Sequence, residues 1–128
     1  MVKKVLIVDD NKEDLETMKS VLEKWDCEVT IATDGAKALD ALKSNGFNLI
    51  LMDIKMPTLS GYDLLRLMRE RLNHKVKMIY VSIVPEQEVD MEDIDGFIQK
   101  PFSPENLMKK INEVLWGSKG GKKWLEKQ

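Results

Sequence analysis

Two short apolar runs, each of which ends in aspartate, constrain the fold of this chain more than any other feature. The first run covers residues 5–8 and is followed by Asp9 and Asp10, and the second covers residues 49–52 and is followed by Asp53. Such runs are typical of parallel strands that are buried on both faces in an α/β sheet. Ligands of these sheets bind beyond the carboxyl ends of the strands. If the two strands are neighbours, the three carboxylates therefore meet in one crevice.

Three carboxylates in one crevice raise one another's pKa values unless a cation neutralises them. A cluster of oxygen ligands suits a hard divalent cation, so Asp9, Asp10 and Asp53 predict a site for Mg²⁺, with Mn²⁺ as an alternative, rather than for zinc. Taken singly, Asp9 and Asp10 could cap the first helix, and Asp53 could be a solvated turn residue. The joint pattern favours a functional site, because the arrangement is costly for stability alone.

Length and composition predict one soluble domain. The 128 residues suffice for a single buried core, and 33% of them are charged although the net charge is only −2. This balance argues against general binding to nucleic acid or to an anionic membrane. Cys27 is the only cysteine, and the sequence contains no apolar run of membrane-spanning length and no signal-peptide pattern. We therefore expect a cytoplasmic protein with no membrane insertion and no direct contact with nucleic acid.

The rest of the chain alternates between strand and helix patterns. Strands are predicted at residues 5–8, 28–32, 49–52, 77–81 and 96–99. Helices are predicted over residues 35–43 and after the capping residues Asn11, Ser60 and Ser103. With right-handed crossovers these elements form a three-layer α/β/α fold around a five-stranded parallel sheet. The fourth helix is expected to be shortened or irregular, because the segment before the fifth strand is acidic and not amphipathic.

Five features in order resemble the receiver domain of two-component response regulators. They are the pair Asp9 and Asp10 after the first strand, Asp53 after the third, Ser82 after the fourth, and Lys100 with Pro101 after the fifth. The resemblance covers roughly residues 3–116 and implies the flavodoxin-like strand order 2-1-3-4-5. It also implies a receiver domain over residues 1–116, with residues 117–128 as a C-terminal tail or linker.

The resemblance assigns the central chemistry to Asp53. Its carboxylate is expected to accept a phosphoryl group and form an aspartyl phosphate. Asp9, Asp10, Asp53 and the backbone carbonyl of Lys55 are expected to hold Mg²⁺, with waters and a phosphoryl oxygen completing the octahedron. The implied chemistry is positioning and charge neutralisation rather than turnover of a substrate, so an enzyme in the ordinary sense is not expected.

Residues at the fourth and fifth strands are expected to respond to the phosphoryl group. By the resemblance, Lys100 pairs with phosphoryl oxygens, or with Asp53 before phosphorylation, and Ser82 donates its hydroxyl to a phosphoryl oxygen. Pro101 is expected to follow a cis peptide bond that aims the lysine. Phe97 occupies the position of an aromatic switch residue, which turns inward when Ser82 moves and thereby remodels the face that partners read. Plain core packing is the alternative interpretation of Phe97.

The implied function is a phospho-acceptor signalling module. Its partners are a sensor histidine kinase or phosphotransfer protein, which supplies the phosphoryl group, and a downstream effector protein. One alternative is a receiver-like interaction module that acts without phosphorylation. A Mg²⁺-dependent aspartyl-phosphate phosphatase would need a second acid where Lys55 stands, and a flavodoxin-like FMN protein would need a phosphate-binding loop where Asp9 and Asp10 stand. The sequence leaves open whether the chain is a stand-alone receiver or part of a larger regulator.

Two features depart from the family pattern. Lys100 follows Ser82 by 18 positions, a few fewer than in a typical receiver, and the missing residues come from the fourth helix, which usually contributes to output. Lys55 and Val84 stand two residues beyond Asp53 and Ser82, and neither side chain can orient an attacking water. This second feature predicts slow self-dephosphorylation.

Overall fold

The computed structural model describes residues 3–44, 46–72 and 76–126, with the backbone alone for residue 116 and residues 118–126. Five parallel strands form one sheet in the order β2-β1-β3-β4-β5, which confirms the predicted topology. In chain order the elements are β1 (Lys4–Val8), α1 (Lys12–Lys24), β2 (Glu28–Ala32), α2 (Gly35–Ala41), β3 (Leu49–Met52), α3 (Gly61–Arg71), β4 (Lys77–Ser82), a 3₁₀ turn (Glu86–Glu88), β5 (Gly96–Gln99) and α4 (Pro104–Glu126).

Helices cover both faces of the sheet, as the buried apolar strands require. Alternate residues of the central strands point to opposite faces, so Leu6 packs with the residues of α2 and α3, whereas Ile7 packs with those of α1 and α4. Both side chains are fully buried. The edge strand β2 is partly exposed, as its alternating pattern predicted. The three-layer α/β/α prediction is therefore confirmed.

The predicted capping residues begin their helices. Asn11 accepts a hydrogen bond from the backbone N–H three residues later (3.0 Å), and Ser60 does the same (3.3 Å). Ser103 also accepts from the backbone N–H three residues on (3.1 Å), and Pro104 is the first residue of α4. Each cap satisfies a backbone donor that the first turn leaves free. Because α1 and α3 follow parallel strands, their capped ends lie at the edge where the strands end.

The connection between β4 and β5 contains only the single 3₁₀ turn, which confirms the expectation of a shortened or irregular fourth helix. The side chain of Gln99 holds the start of this connection in place by hydrogen bonds. Its amide nitrogen donates to the carbonyls of Ser82 and Val84 (3.1 Å each), and its amide oxygen accepts from the N–H of Glu86 (3.2 Å). Val89 is buried in the core, so one apolar residue anchors the middle of the segment.

The C-terminal helix α4 continues past the predicted end of the domain. The resemblance implied a C-terminal tail or linker over residues 117–128, and the structure has helix on both sides of Gly117. Gly117 itself has a φ of 67°, which glycine adopts without steric cost, so the helix is interrupted there. Among the described residues, no helix combines the length and apolar composition that crossing a membrane requires.

Candidate functional site

The three aspartates of the two apolar runs meet at the carboxyl edge of the sheet. β1 and β3 are paired so that Val8 lies opposite Met52, and the pairing continues as the N–H of Asp53 donates to the carbonyl of Val8 (2.9 Å). The residues that follow each strand therefore emerge side by side. Asp9, Asp10 and Asp53 each offer a carboxylate oxygen within 4.8 Å of the others.

Two of these carboxylates are withdrawn from water. Asp9 is fully buried and Asp53 is 7% exposed, whereas Asp10 is exposed. Burial raises the pKa of Asp9, and hydrogen bonds from Lys100 and from the N–H of Asn11 offset part of that increase. A buried carboxylate without a cation or hydrogen-bond donors beside it is unfavourable, so a positive charge is needed near Asp9 and Asp53.

In the described structure, that positive charge comes from Lys100, which follows β5. Its ammonium lies 2.7 Å from Asp9 Oδ2, 2.7 Å from Asp14 Oδ2 and 3.3 Å from Asp53 Oδ2. Burial alone would lower the pKa of Lys100, but the hydrogen bonds with Asp14 and Asp9 outweigh it and raise that pKa. The side chain therefore stays charged at neutral pH. The peptide bond from Lys100 to Pro101 is cis.

Asp14 is a contact of the site that the sequence reasoning missed. It lies in the first turn of α1, where its backbone N–H donates to the cap residue Asn11. Its carboxylate, however, contacts the ammonium of Lys100 as closely as that of Asp9 does. An acid in a first helical turn is common, because the helix dipole favours it. Only the approach of α1 to the end of β5 could have revealed the second role.

The predicted residues Ser82 and Lys55 lie at the end of β4 and two residues after Asp53, respectively. Ser82 is fully buried at the end of β4, and its hydroxyl oxygen accepts from the N–H of Val84 (3.3 Å). Its carbonyl accepts from the N–H of Lys100 (2.8 Å), which ties the ends of β4 and β5 together. The N–H of Lys55 donates to Asp53 Oδ1 (3.3 Å), so the two carboxylate oxygens of Asp53 have different partners.

Phe97 lies in β5 opposite Tyr80 of β4 and is 5% exposed. It belongs to the apolar cluster on the α2 and α3 face of the sheet. The ring is therefore inward in this structure, an arrangement that both interpretations of the residue accommodate. Its switch role stays a prediction.

Gly61 allows the chain after Asp53 to pass against the start of α3. A Cβ at this position would collide with the carbonyl oxygen of Asp53 and lie 2.7 Å from Cα of Ile54. The N–H of Gly61 donates to the carbonyl of Ile54 (2.8 Å), so the approach is part of a hydrogen-bonded turn. Because the colliding atoms are backbone, they have little freedom to move, and glycine is needed for the position of Asp53.

The donor set fits a hard divalent cation. Three carboxylates that converge within one coordination sphere, with no thiol or imidazole among them, are typical ligands of Mg²⁺ or Mn²⁺ and not of zinc. Lys100 contacts the buried acids of the cluster, and Asp10 is the acid that is exposed to solvent. The arrangement can therefore combine a buried nucleophilic carboxylate, a fixed ammonium and a cation site at one edge of the sheet.

Comparisons with known proteins give a consistent family. The family model of the response regulator receiver domain matches residues 5–112. Response regulator SaeR from Staphylococcus epidermidis is 31% identical over 115 residues, which are 87% of this chain and 49% of that protein. The chain thus spans about half the length of this relative.

Solved structures agree with the family model. A CheY-like receiver domain protein from Methanospirillum hungatei is 31% identical, with a TM-score of 0.82 and coverage of 100% of both chains. Response regulator TrrA from Thermotoga maritima, solved in complex with Mg²⁺-BeF, is 26% identical, with a TM-score of 0.80 over 89% of this chain and 100% of that one. The chain therefore belongs to the response regulator receiver domain family.

Proposed function

We propose that this chain is a phospho-acceptor signalling module in which Asp53 takes a phosphoryl group in a Mg²⁺-dependent reaction. The observation that carries the proposal is the placement of the buried Asp53 carboxylate between the acids of the cluster and an ammonium 3.3 Å away. Phosphoryl transfer asks little covalent chemistry of a protein and a great deal of positioning and charge neutralisation. Receiver domains are signalling modules, and membership of the family supports this use of the site.

The nucleophile is a carboxylate oxygen of Asp53. It attacks the phosphorus of the donor, a new O–P bond forms, and the donor's own bond to phosphorus breaks with its electron pair leaving on the donor. The buried setting keeps water away from the acceptor, which is 7% exposed. Gly61 and the N–H of Lys55 fix the direction of the carboxylate.

The remaining residues manage charge. Lys100 is charged and contacts Asp53, so it can move onto phosphoryl oxygens when they arrive. The hydroxyl of Ser82 can donate to another phosphoryl oxygen, since its present hydrogen bond uses the oxygen only as an acceptor. Phe97 lies on the strand next to that of Ser82, so movement of Ser82 would shift the packing around Phe97. This shift is the proposed route from phosphorylation to a changed surface.

Mg²⁺ is assigned to Asp9, Asp10, Asp53 and the backbone carbonyl of Lys55. When bound, the cation neutralises the acids and the phosphoryl oxygens during transfer. The all-oxygen donor set supports this assignment, as does the Mg²⁺-BeF complex of the related TrrA. Lys100 contacts the two buried carboxylates of this set.

The proposed partners follow from the reaction. A phosphohistidine on a sensor kinase or phosphotransfer protein is the donor, and a downstream effector reads the altered surface. Two rivals are weaker. A phosphatase would require a second acid two residues beyond the nucleophile, where Lys55 stands. A module that works without phosphorylation would have no use for buried carboxylates that burial makes unfavourable.

The test is incubation with acetyl phosphate followed by intact mass spectrometry, with and without MgCl₂. The wild-type chain should gain one phosphoryl group with Mg²⁺ and none in EDTA. Asp53→Asn should gain none. Asp40→Asn, which changes an exposed aspartate paired with Lys43, is the matched control and should behave as wild type.

Two results would contradict the proposal. One is an adduct of the same mass and yield on Asp53→Asn, which would assign the phosphoryl group elsewhere. The other is continuous release of inorganic phosphate from p-nitrophenyl phosphate, which would make the chain a phosphatase. Phosphorylation that stops at one group per chain agrees with the module.

A further inference from the structure

A cavity of about 530 Å³ opens where the chain has a 3₁₀ turn instead of a fourth crossover helix. Its walls come from α3, from β4 and from the segment of residues 88–93. Tyr62 and Tyr80 line it, and their rings meet edge to face with centroids 5.6 Å apart. The cavity is separate from the acidic cluster of Asp9, Asp10 and Asp53, because none of these residues lines it.

The phenol hydroxyl of Tyr80 contributes no hydrogen bond to the described fold. The residue is fully buried, and its hydroxyl has no hydrogen-bond partner in the described parts of the chain. A buried hydroxyl left unpaired costs about 1–3 kcal/mol. Burial raises the pKa of Tyr80, and Tyr62 and the carboxylates of Asp90 and Asp93 add to that increase. Tyr80 lines the cavity together with these carboxylates.

The protein offsets only part of the charge of the acidic wall of the cavity, through Arg69, whose guanidinium donates to the carbonyl of Asp93 and pairs with Asp95. Glu88, Asp90, Glu92 and Asp93 all line the cavity and are exposed, and none forms an ion pair with a described residue. Arg66 is the cation of the lining, and its guanidinium is held by Asp63. The sequence of residues 86–93 contains no lysine or arginine at all. The wall therefore presents a field that attracts cations.

The chemistry of the lining favours an organic cation over a metal ion. Among the residues that the structure describes, Asp9, Asp10 and Asp53 are the only group of three acids close enough to share a metal. Around the cavity the carboxylates instead surround aromatic rings, which attract guanidinium and ammonium groups. A guanidinium can donate to a carboxylate and to the free phenol oxygen together, because its N–H groups form a fixed fork.

We propose that this cavity is the docking site for an arginine-bearing basic segment of a partner protein. The guanidinium pairs with the carboxylate of Asp90, and it donates a hydrogen bond to the buried hydroxyl of Tyr80 once the hydrogen bond from the N–H of Asp90 to the hydroxyl of Tyr62 (3.2 Å) opens. The acidic segment continues beyond the cavity lining to the exposed Glu86, so a chain of several basic residues has complementary charge along its length. This site goes beyond the phosphorylation chemistry, and binding there does not require Asp53 to be modified.

The test uses a fluorescein-labelled hexaarginine peptide and the full chain, with binding read by fluorescence anisotropy at low and at moderate salt. Tyr80→Phe removes only the hydroxyl and should weaken binding about tenfold, the size of one hydrogen bond to a charged group. The double variant Glu88→Gln/Asp90→Asn should weaken it at least as much. Its matched control, Glu16→Gln/Glu23→Gln, changes two exposed acids of α1 on the opposite side of the sheet and should stay within about twofold of wild type.

Fold and phosphorylation are checked on the same samples. Tyr80→Phe should unfold at the wild-type temperature or above, because it removes an unpaired buried hydroxyl. If that variant does not fold, the Glu88 and Asp90 variant carries the test alone. Both variants should take up one phosphoryl group from acetyl phosphate as wild type does, so failure of peptide binding and failure of the phosphorylation proposal are separate results.

Three outcomes would overturn the docking site. Wild-type affinity in Tyr80→Phe would mean that the hydroxyl is not used. Equal losses in the cavity variant and in the α1 control would mean that the peptide senses only net charge. Spermidine that binds as tightly as the peptide, with the same dependence on Asp90, would make the cavity a site for a small polyamine instead of a protein segment.

Discussion

Replacement of Lys100 by methionine should destabilise the metal-free protein and make its stability depend strongly on Mg²⁺. The substitution keeps a long apolar side chain and removes the ammonium that contacts Asp9, Asp14 and Asp53. Asp9 and Asp53 are then left buried without this cation. We therefore expect the free energy of unfolding to fall in EDTA and to recover when Mg²⁺ is added.

The magnitude follows from burial. Removal of one partner from a buried ion pair costs about 3–5 kcal/mol, because the other charge stays desolvated. Asp14 is only partly buried and can return to water, so its contact adds no more than about 1 kcal/mol. Protonation of Asp9, whose pKa burial already raises, relieves part of the cost. We expect a loss of about 3 kcal/mol in EDTA. Mg²⁺ at 100 times its dissociation constant should raise the free energy of unfolding of the variant by about 2.7 kcal/mol.

Urea unfolding at neutral pH measures both numbers, in EDTA and across a range of MgCl₂ concentrations. Lys110→Met is the matched control, since Lys110 pairs with Glu113 at an exposed site (3.5 Å). This control should lose less than about 1 kcal/mol and should show the same response to Mg²⁺ as wild type. A loss for Lys100→Met no larger than that of Lys110→Met, or equal stabilisation of both variants by Mg²⁺, would refute the reasoning.

Further predictions concern the same site. The pKa of Lys100 is raised in the folded protein. Its ion pairs therefore stabilise the fold fully below the pKa of lysine in the unfolded chain, about 10.4, and lose that effect as pH rises through the folded-state pKa. The stability difference between wild type and Lys100→Met, measured by urea unfolding, should shrink above about pH 10. Asp14→Asn should lower the free energy of unfolding by about 1 kcal/mol, and a double-mutant cycle with Lys100→Met should return a coupling of similar size. Gly61→Ala should cost about 2–3 kcal/mol in urea unfolding and slow phosphorylation, because the new Cβ meets the backbone at Asp53, whereas Gly35→Ala meets a movable leucine side chain and should cost less. The phosphoryl group should persist for minutes or longer with Mg²⁺ present, because neither side chain two residues beyond the acceptor or beyond the serine of β4 can orient water. Decay within seconds, followed by intact mass, would contradict this last prediction.

Sequence reasoning reached the fold because the strand patterns here are unambiguous. Apolar runs of four residues that end in acid mark central strands and their carboxyl ends, and the topology then places Asp9 beside Asp53. The capping residues Asn11 and Ser60 mark helix starts through local hydrogen bonds that need no tertiary information. These features depend on near neighbours in the chain, or on strand pairing that the pattern itself specifies.

Contacts between distant elements were beyond the sequence. Asp14 contacts Lys100, although 86 positions separate them, only because α1 and the end of β5 approach each other in three dimensions. The cavity beside Tyr80 arises in the same way. The acidic segment after β4 predicted a shortened or irregular fourth helix, but not that a phenol hydroxyl would be left unpaired beside a cavity lined by carboxylates. Side-chain partners of this kind depend on packing rather than on local pattern.

The most direct measurement of the central claim is the position of the phosphoryl group among the three clustered acids. Protein treated with acetyl phosphate and Mg²⁺ is reduced with sodium borohydride, which converts an aspartyl phosphate to homoserine, and is then digested and sequenced by tandem mass spectrometry. The account predicts homoserine at Asp53 and unmodified Asp9 and Asp10. Homoserine at Asp9 or Asp10, or phosphorylated protein with no homoserine at Asp53, would contradict it.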